Sequence, residues 1–296
     1  MSILVGEDTK VLIQGITGRE ASEKLPEMLE YGTDVVAGVT PGKGGQEVEG
    51  VPVYDSVEEA LEEHPEINTS LVYVPPFAAK DAAFEAMDAG IETLDIVTET
   101  VPTRDTWKIY EKAQDEDVRI VGPTSVGIIT PEECKLGPIG GSEPDKVYKP
   151  GKVGVISKSG GMTTETSWVV RQAGHGVSTA VGLGGDRIAC TTFEDALRLF
   201  EEDEQTEAVV MFGELGGTYE EKAAELLENE GFTKPLIAFI AGKFTEDLPS
   251  RQYGHAGAVI RGEEGKPSHK EKALREAGAH VVDVHHEIGE KLEEVL

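Results

Sequence analysis

The stretch RQYGHAGAVI (Arg251–Ile260) sets one histidine among glycines and alanines. With Gly254, Ala256 and Gly257 as neighbours, the His255 imidazole gains almost no side-chain cover. Such a frame suits either a tight turn with an incidental polar residue or an accessible ring able to carry a proton or a transferred group. The other six histidines lack it. His64, His269 and His280 fall in helical or strand-start contexts and His175 in a turn. His285 and His286 adjoin each other near the C-terminus without further metal ligands. No spacing of Cys, His and acid matches a metal centre, and no G-x-S-x-G elbow is present, so neither a metal site nor a serine hydrolase is expected.

Other chemistry gathers where apolar runs end. After KVLIQ comes GITGREAS, in which Gly15, Gly18 and Ala21 stand at glycine-fingerprint spacing. That spacing brings the backbone of Thr17, Gly18, Arg19 and Glu20, and a helix start, against a phosphate. The middle glycine of the dinucleotide pattern is absent and no ribose-binding acid follows, which disfavours an NAD-dependent dehydrogenase. A plain strand-to-helix turn reads the same. TPGKGG places Lys43 in a glycine-rich loop, where anion binding and a solvated lysine are equally open. VTET offers Val97, Thr98 and Glu99 at a third strand end. Further on, VISKSGGMTTE supplies Ser157, Ser159, Gly160 and Gly161 at a helix start, which is either an anion site or a simple N-cap. In GELGG, Glu214 stands between glycines, where a carboxylate can orient an imidazole or belong to an acid-rich surface.

The elements that must position these residues alternate. In the first half, Lys10–Gly15, Asp34–Val39, Thr69–Val74, Thr93–Thr98 and Val118–Gly122 read as buried strands. Helical patterns lie between them around Glu20–Tyr31, Val57–His64, Ala78–Ala89 and Thr103–Asp115. The stretch 126–150 is rich in Pro and Gly and reads as a connection. A second series follows: KVGVIS, GVSTAVGL, EAVVMF and PLIAFI as strands, Phe193, Ala196, Leu197 and Phe200 on one helix face, then a helix around Lys270–Ala277, a strand HVVDV and a last helix. The expectation is two α/β domains, 1–125 and 151–296, each with a mainly parallel sheet. Ligands in such sheets bind beyond the carboxyl ends of the strands.

Composition narrows the partners. The formal charge of −29 disfavours nucleic acid and anionic membranes. The acid is spread along helical stretches, a pattern expected of a salt-rich cytoplasm. The chain offers no apolar run long enough for a membrane helix and no signal-peptide pattern, and its two cysteines fit a reducing compartment. The expected location is cytoplasmic.

Taken together and in order, QGITG, VTPGKGG, S-x-S-G, GELGG and GHAGA resemble the α subunit of succinyl-CoA synthetase over essentially the whole chain. The resemblance implies a Rossmann-like CoA-binding domain followed by a flavodoxin-like ligase domain. It also implies a β subunit of ATP-grasp fold, in αβ or α2β2 assemblies, that binds ATP or GTP with Mg2+. By the same resemblance His255 is the phosphorylated histidine and Glu214 holds its ring. Thr17, Gly18, Arg19, Glu20, Lys43, Val97, Thr98 and Glu99 fall at CoA-binding positions. Ser157, Ser159, Gly160, Gly161 and Thr164 fall at positions for phosphate and a small carboxylic acid. Three stretches depart from the family's usual pattern: GPTSVG for GPNCPG, SKSGGMTTE for SRSGTLTYE, and an eroded segment after Thr17. The first two are similar to ATP-citrate lyase and citryl-CoA synthetase, so citrate or another carboxylate competes with succinate. A non-catalytic CoA-binding regulatory protein on the same scaffold is the reading from a different class.

Overall fold

The computed structural model describes residues 3–229, 231–246, 254–260, 263 and 265–296. Arg251–Tyr253 of the histidine motif lie outside the described residues. The first domain runs β1 (Lys10–Gln14), α1 (Arg19–Tyr31), β2 (Asp34–Val39), β3 (Glu47–Val48), β4 (Val51–Tyr54), α2 (Val57–Glu63), β5 (Thr69–Val72), α3 (Ala79–Asp88), β6 (Thr93–Ile96), α4 (Thr103–Glu116) and β7 (Arg119–Val121). Its sheet has the order β3-β4-β2-β1-β5-β6-β7, parallel except for the β3–β4 pair. The order reverses at β1, with β2 on one side and β5 on the other. A crevice therefore opens at the carboxyl end of β1.

The second domain contains β8 (Gly127–Thr130), β9 (Cys134–Leu136), β10 (Pro150–Ser157), α5 (Gly160–Gln172), β11 (Val177–Gly182), α6 (Phe193–Glu202), β12 (Ala208–Glu214), α7 (Tyr219–Glu228), β13 (Leu236–Ala241), α8 (Pro267–Glu276), β14 (His280–Val281) and α9 (Glu287–Val295). The sheet order is β14-β13-β12-β10-β11-β8-β9. Here the switch falls at β10, flanked by β11 and β12, and β10 leads straight into the serine–glycine turn. Both domains thus aim their switch points at the segments that carry chemistry.

Local sequence explains most of these elements. In α6 the apolar residues Phe193, Ala196, Leu197 and Phe200 are all buried, and Thr192 with Asp195 closes a capping box. The central strands β1, β10 and β12 are rich in aliphatic residues, and they and β5 are covered on both faces, as parallel strands between helix layers must be. The stretch 126–150, expected as a connection, needs correction. Residues 127–130 and 134–136 form β8 and β9, which extend the second sheet: β8 pairs antiparallel with β11, and β9 antiparallel with β8. These segments are too short to show a period, and the β8 partner lies about fifty residues further along.

Packing couples the two domains. One apolar cluster combines Val11, Ile13, Leu71 and Val121 of the first sheet with Ile128, Leu136 and Ile156 of the second. The Thr33 hydroxyl donates to the Lys135 carbonyl and accepts from the Lys135 amide, tying β2's approach to β9. Lys135 is wholly buried, 3.5 Å from Glu27 on α1, and burial pulls its ammonium pKa down against the Glu27 charge. Among the described residues, no helix is long and apolar enough to cross a membrane.

Candidate functional site

A cleft of about 1010 Å3 lies between the domains. One wall is the start of α1, with Gly15, Thr17, Gly18, Arg19 and Glu20. Gly15 is in the left-handed region (φ 87°), and a Cβ there would lie 3.2 Å from the Tyr73 and Val74 backbone. No other residue lets the chain turn so closely beside β5. Gly18 caps α1 without a side chain, so the first amides of the helix face the cleft uncovered. Val97, Thr98 and Glu99 line the same space, and the Thr98 hydroxyl donates to the Val74 carbonyl at 2.7 Å. Thr124, Ser125 and Val126 also line it, as do Lys158, Ser159, Gly160, Gly161 and His255 from the second domain.

His255 is held from three sides. Its Nδ1 lies 2.9 and 3.1 Å from the two Glu214 carboxylate oxygens. Its loop is pinned by the Gly257 amide donating to Gly185 O, and by Arg187 Nε donating to Ala256 O. The ring rests on Gly185, where a Cβ would sit 2.4 Å from the imidazole Cγ. The imidazole is 36 % exposed and Glu214 only 13 %. The Glu214 hydrogen bond raises the His255 pKa above its ordinary value, against burial. The Glu99 charge adds to the rise and the Lys158 charge subtracts from it. With Nδ1–H committed to a carboxylate, Nε2 is the ring atom left for chemistry. Gly185→Ala is therefore expected to displace the ring. Any reaction at Nε2 should fall by about 10²-fold with little change in melting temperature, since misplacement of about 1 Å has that cost. Wild-type rates in that variant would contradict the close packing.

The anion-ready features differ in availability. α5 starts at Gly160 with Ser159 as a cap that makes no side-chain bond, so its first amides point to the cleft beside His255. Ser157 is not part of that surface. It is fully buried, its hydroxyl donating to Ser159 O and accepting from Ser159 N, so it shapes the turn from beneath. Thr164 lies one turn further on, hydrogen-bonded to Tyr148 at 3.1 Å and outside the cleft lining. Lys43 is likewise not brought in. The Gly44 amide donates to Asp55, and hydrogen bonds from Gly44, Gly42 and Lys43 hold that carboxyl below its usual pKa. The glycine loop already has its anion, eleven residues along the chain.

Several side chains at the site escaped sequence reasoning. Lys158 lines the cleft and lies 2.6 Å from Glu220, over the rings of Phe193 and Tyr219. Its place between Ser157 and Ser159 was the available signal. Thr124 donates to Asp186 at 2.8 Å, linking the first-domain edge to the Gly182–Asp186 loop under His255.

Known proteins match the chain over nearly all of its length. A CoA binding domain model matches residues 6–100 and a CoA-ligase model residues 156–280. The succinate–CoA ligase [ADP-forming] subunit alpha of Aquifex aeolicus is 46% identical over 299 residues, covering all of this chain and 95% of that one. The chain belongs to the succinate–CoA ligase α-subunit family. It is a CoA ligase subunit of α/β fold, with CoA as a substrate. The family also includes proteins with other names. An ADP-forming sulfoacetate-CoA ligase subunit, SqwL, of Acholeplasma is 43% identical over 298 residues, covering 100% of this chain and 98% of that one. Among solved structures, ATP citrate lyase from Methanothrix soehngenii in complex with citrate and coenzyme A superposes with a TM-score of 0.92 at 27% identity. It covers 99% of this chain, which spans half of that longer chain.

Proposed function

We propose that this α subunit makes an acyl-CoA from a carboxylic acid through phosphohistidine and acyl phosphate, with His255 Nε2 as the phosphoryl carrier. The observation that carries the reading is the His255–Glu214 pair at the cleft. Its ring stands beside the uncovered amides of α5, in a space that begins at the uncovered amides of α1.

Each group then has a task. Neutral His255 takes a phosphoryl group at Nε2 while Glu214 accepts the Nδ1 hydrogen bond and balances the charge that develops on the ring. The α5 amides and Lys158 stabilise the phosphate by position and charge, which is most of what phosphoryl transfer requires. A substrate carboxylate oxygen attacks phosphorus, and the N–P bond breaks to free His255. The CoA thiol then attacks the acyl carbon and phosphate leaves. CoA lies along Thr17–Glu20 and Val97–Glu99. ATP or GTP with Mg2+ belongs to a β subunit of ATP-grasp fold, in an αβ or α2β2 assembly. The acid is succinate, placed by Ser159–Gly161. Citrate is the second reading. It is supported by the bare Gly161, beside which no atom lies within 4 Å of a Cβ, and by Thr164, which turns to Tyr148 instead of the cleft.

The test is the purified complex with its partner, ATP and CoA, offered succinate, citrate, sulfoacetate, malate or acetate. ADP release with succinate at least about tenfold above the others is the expected result. ADP release with citrate alone moves the assignment to the second reading. No acid-labile phosphate on the chain with a competent partner makes it a CoA-binding regulator.

A further inference from the structure

Asp95 has no counterpart in the steps above. It lies at the centre of β6, between Leu71 of β5 and Val121 of β7, and its carboxyl is fully buried. Those two neighbours belong to the apolar cluster shared by both domains. Among the described residues, neither Asp95 oxygen has a hydrogen-bond partner. A carboxyl in this position is expensive to maintain and needs a reason.

Its surroundings give one. The chain from Gly122 to Val126 lies over the end of β6, with the Ser125 amide donating to Ile96 O at 3.2 Å. That brings Ser125 beside Asp95, where burial raises the carboxyl pKa and the Ser125 hydroxyl works against the rise. In the resting structure the same hydroxyl donates to Gly182 O at 2.9 Å and accepts from the Gly127 amide. Ser125 lines the same cleft as the α1 start and His255. On the functional reading above, on which this inference rests, the thiol of CoA must pass through that cleft. It has to reach from an anchor at Thr17–Glu20 to an acyl phosphate made at His255. A thiol of ordinary pKa, about 8.5, is mostly protonated at neutral pH and must lose its proton to attack.

We infer that Asp95 accepts, through Ser125, the proton that the CoA thiol gives up as the thioester forms. The Ser125 hydroxyl turns from Gly182 O to an Asp95 oxygen. The S–H proton passes to Ser125 Oγ while the Ser125 proton passes to Asp95. The sulfur forms its bond to the acyl carbon, the carbon–oxygen bond to phosphorus's oxygen breaks, and phosphate departs with that electron pair. Asp95 touches no substrate; it acts by positioning and loading Ser125.

The charged surroundings fit a group that can hold or release a proton. Burial raises the Asp95 pKa to about 7. Tyr73, just beyond β5, has a buried hydroxyl that also lacks a partner among the described residues, and burial followed by the Asp95 charge pushes that phenol well up. From α1, Glu20 and Glu27 act on Tyr73, and Lys24 and Lys135 balance Glu27. Just beyond β9 Asp95 meets Gly137, whose Cβ position is 3.5 Å from Oδ2. No cation is paired with Asp95 among the described residues.

The test uses the complex with its partner, ATP, acid and CoA in rapid-quench experiments from pH 5.5 to 8.5. Thioester formation in the wild type should rise with pH through about 7. Asp95→Asn should slow that step by about 10²-fold at pH 8, the usual scale of general-base help, and flatten its pH dependence. Ser125→Ala should do the same. Phosphate incorporation into His255 should stay at the wild-type rate in Asp95→Asn, which also reports an intact fold. An unchanged pH profile of thioester formation in Asp95→Asn overturns the inference alone, as does an equal fall in both half-reactions. Absence of phosphorylation in the wild type overturns the functional reading and this inference with it.

Discussion

His255→Asn is expected to abolish acid-labile phosphate incorporation and to lower acyl-CoA synthesis by about 10⁴-fold or more, the scale seen when a nucleophile without a substitute is removed. Asparagine is polar and close in size, so the Gly185 and Glu214 loops should keep their places and melting temperature should change little. Glu214→Gln separates charge from geometry. The amide oxygen still accepts from Nδ1–H, but the charge that raises the ring's pKa is gone. Below its pKa the ring is protonated at both nitrogens and Nε2 cannot attack, so His255 sets the acid limb of the phosphorylation rate. That limb should move to lower pH in Glu214→Gln, while the rate at pH 8 falls by about 10- to 100-fold. The linkage to stability has the opposite sense. A histidine with raised pKa gives its full stabilisation below the unfolded value of about 6.5, and loses it as pH rises through the folded value. Glu214→Gln should therefore cost stability at pH 5.5 and little at pH 9. A limb that stays in place would separate Glu214 from the chemistry.

Legibility in the sequence followed the range of the interactions involved. The strands β10 to β13 and the helix α6 were visible because a run of β-branched residues or an i, i+3, i+4, i+7 pattern is local information. The strands β3, β4, β8 and β9 were not, because two to four residues carry no period, and β8 joins the sheet only through β11, about fifty residues further along. The site divides in the same way. His255 and Glu214 were legible as types in glycine settings, and the fold brings them within 2.9 Å across forty-one residues. Lys43 sits in a loop whose sequence suits an anion, but nothing local says that Asp55 fills it. Ser157 reads as a ligand hydroxyl, whereas the turn consumes both its donor and its acceptor. Asp95 shows the converse. A carboxylate inside the apolar run TLDIVT is visible at once, but its full burial depends on the second domain closing over β6. Residues whose role is set within one turn of chain can be read; residues whose role depends on a second layer need the layer.

The second large effect concerns the charges beneath the site. Glu220 on α7 is fully buried and accepts from Lys158 and from Lys270, each at 2.6 Å, and Lys270 is fully buried too. Burial alone would push the Glu220 carboxyl up, but the Lys158 and Lys270 charges and hydrogen bonds outweigh it and hold its pKa below the ordinary value. Glu220 also accepts the Glu214 amide at 3.1 Å, so it supports the strand end that presents the His255 partner. Replacing it with Gln leaves two ammonium groups facing one neutral amide. Lys270 keeps Glu221 and the Gly217 carbonyl, whereas among the described residues Lys158 keeps only its two aromatic rings. Breaking a buried pair from one side costs about 3–5 kcal/mol, because the desolvated charge that remains has no counterpart. Glu220→Gln should thus lose that much stability in denaturant titrations, and high salt should not restore it, since buried charges are poorly screened. Adding Lys158→Met should recover a measurable part of the loss, because it removes the charge left without a carboxylate. The same double variant should still phosphorylate His255 more slowly than wild type, since Lys158 faces the cleft and its cation is gone. Recovered stability with unrecovered rate would separate the two jobs of Lys158: neutralising Glu220 below and holding phosphate above. A double variant no more stable than Glu220→Gln would mean that the buried charges are not coupled through Glu220.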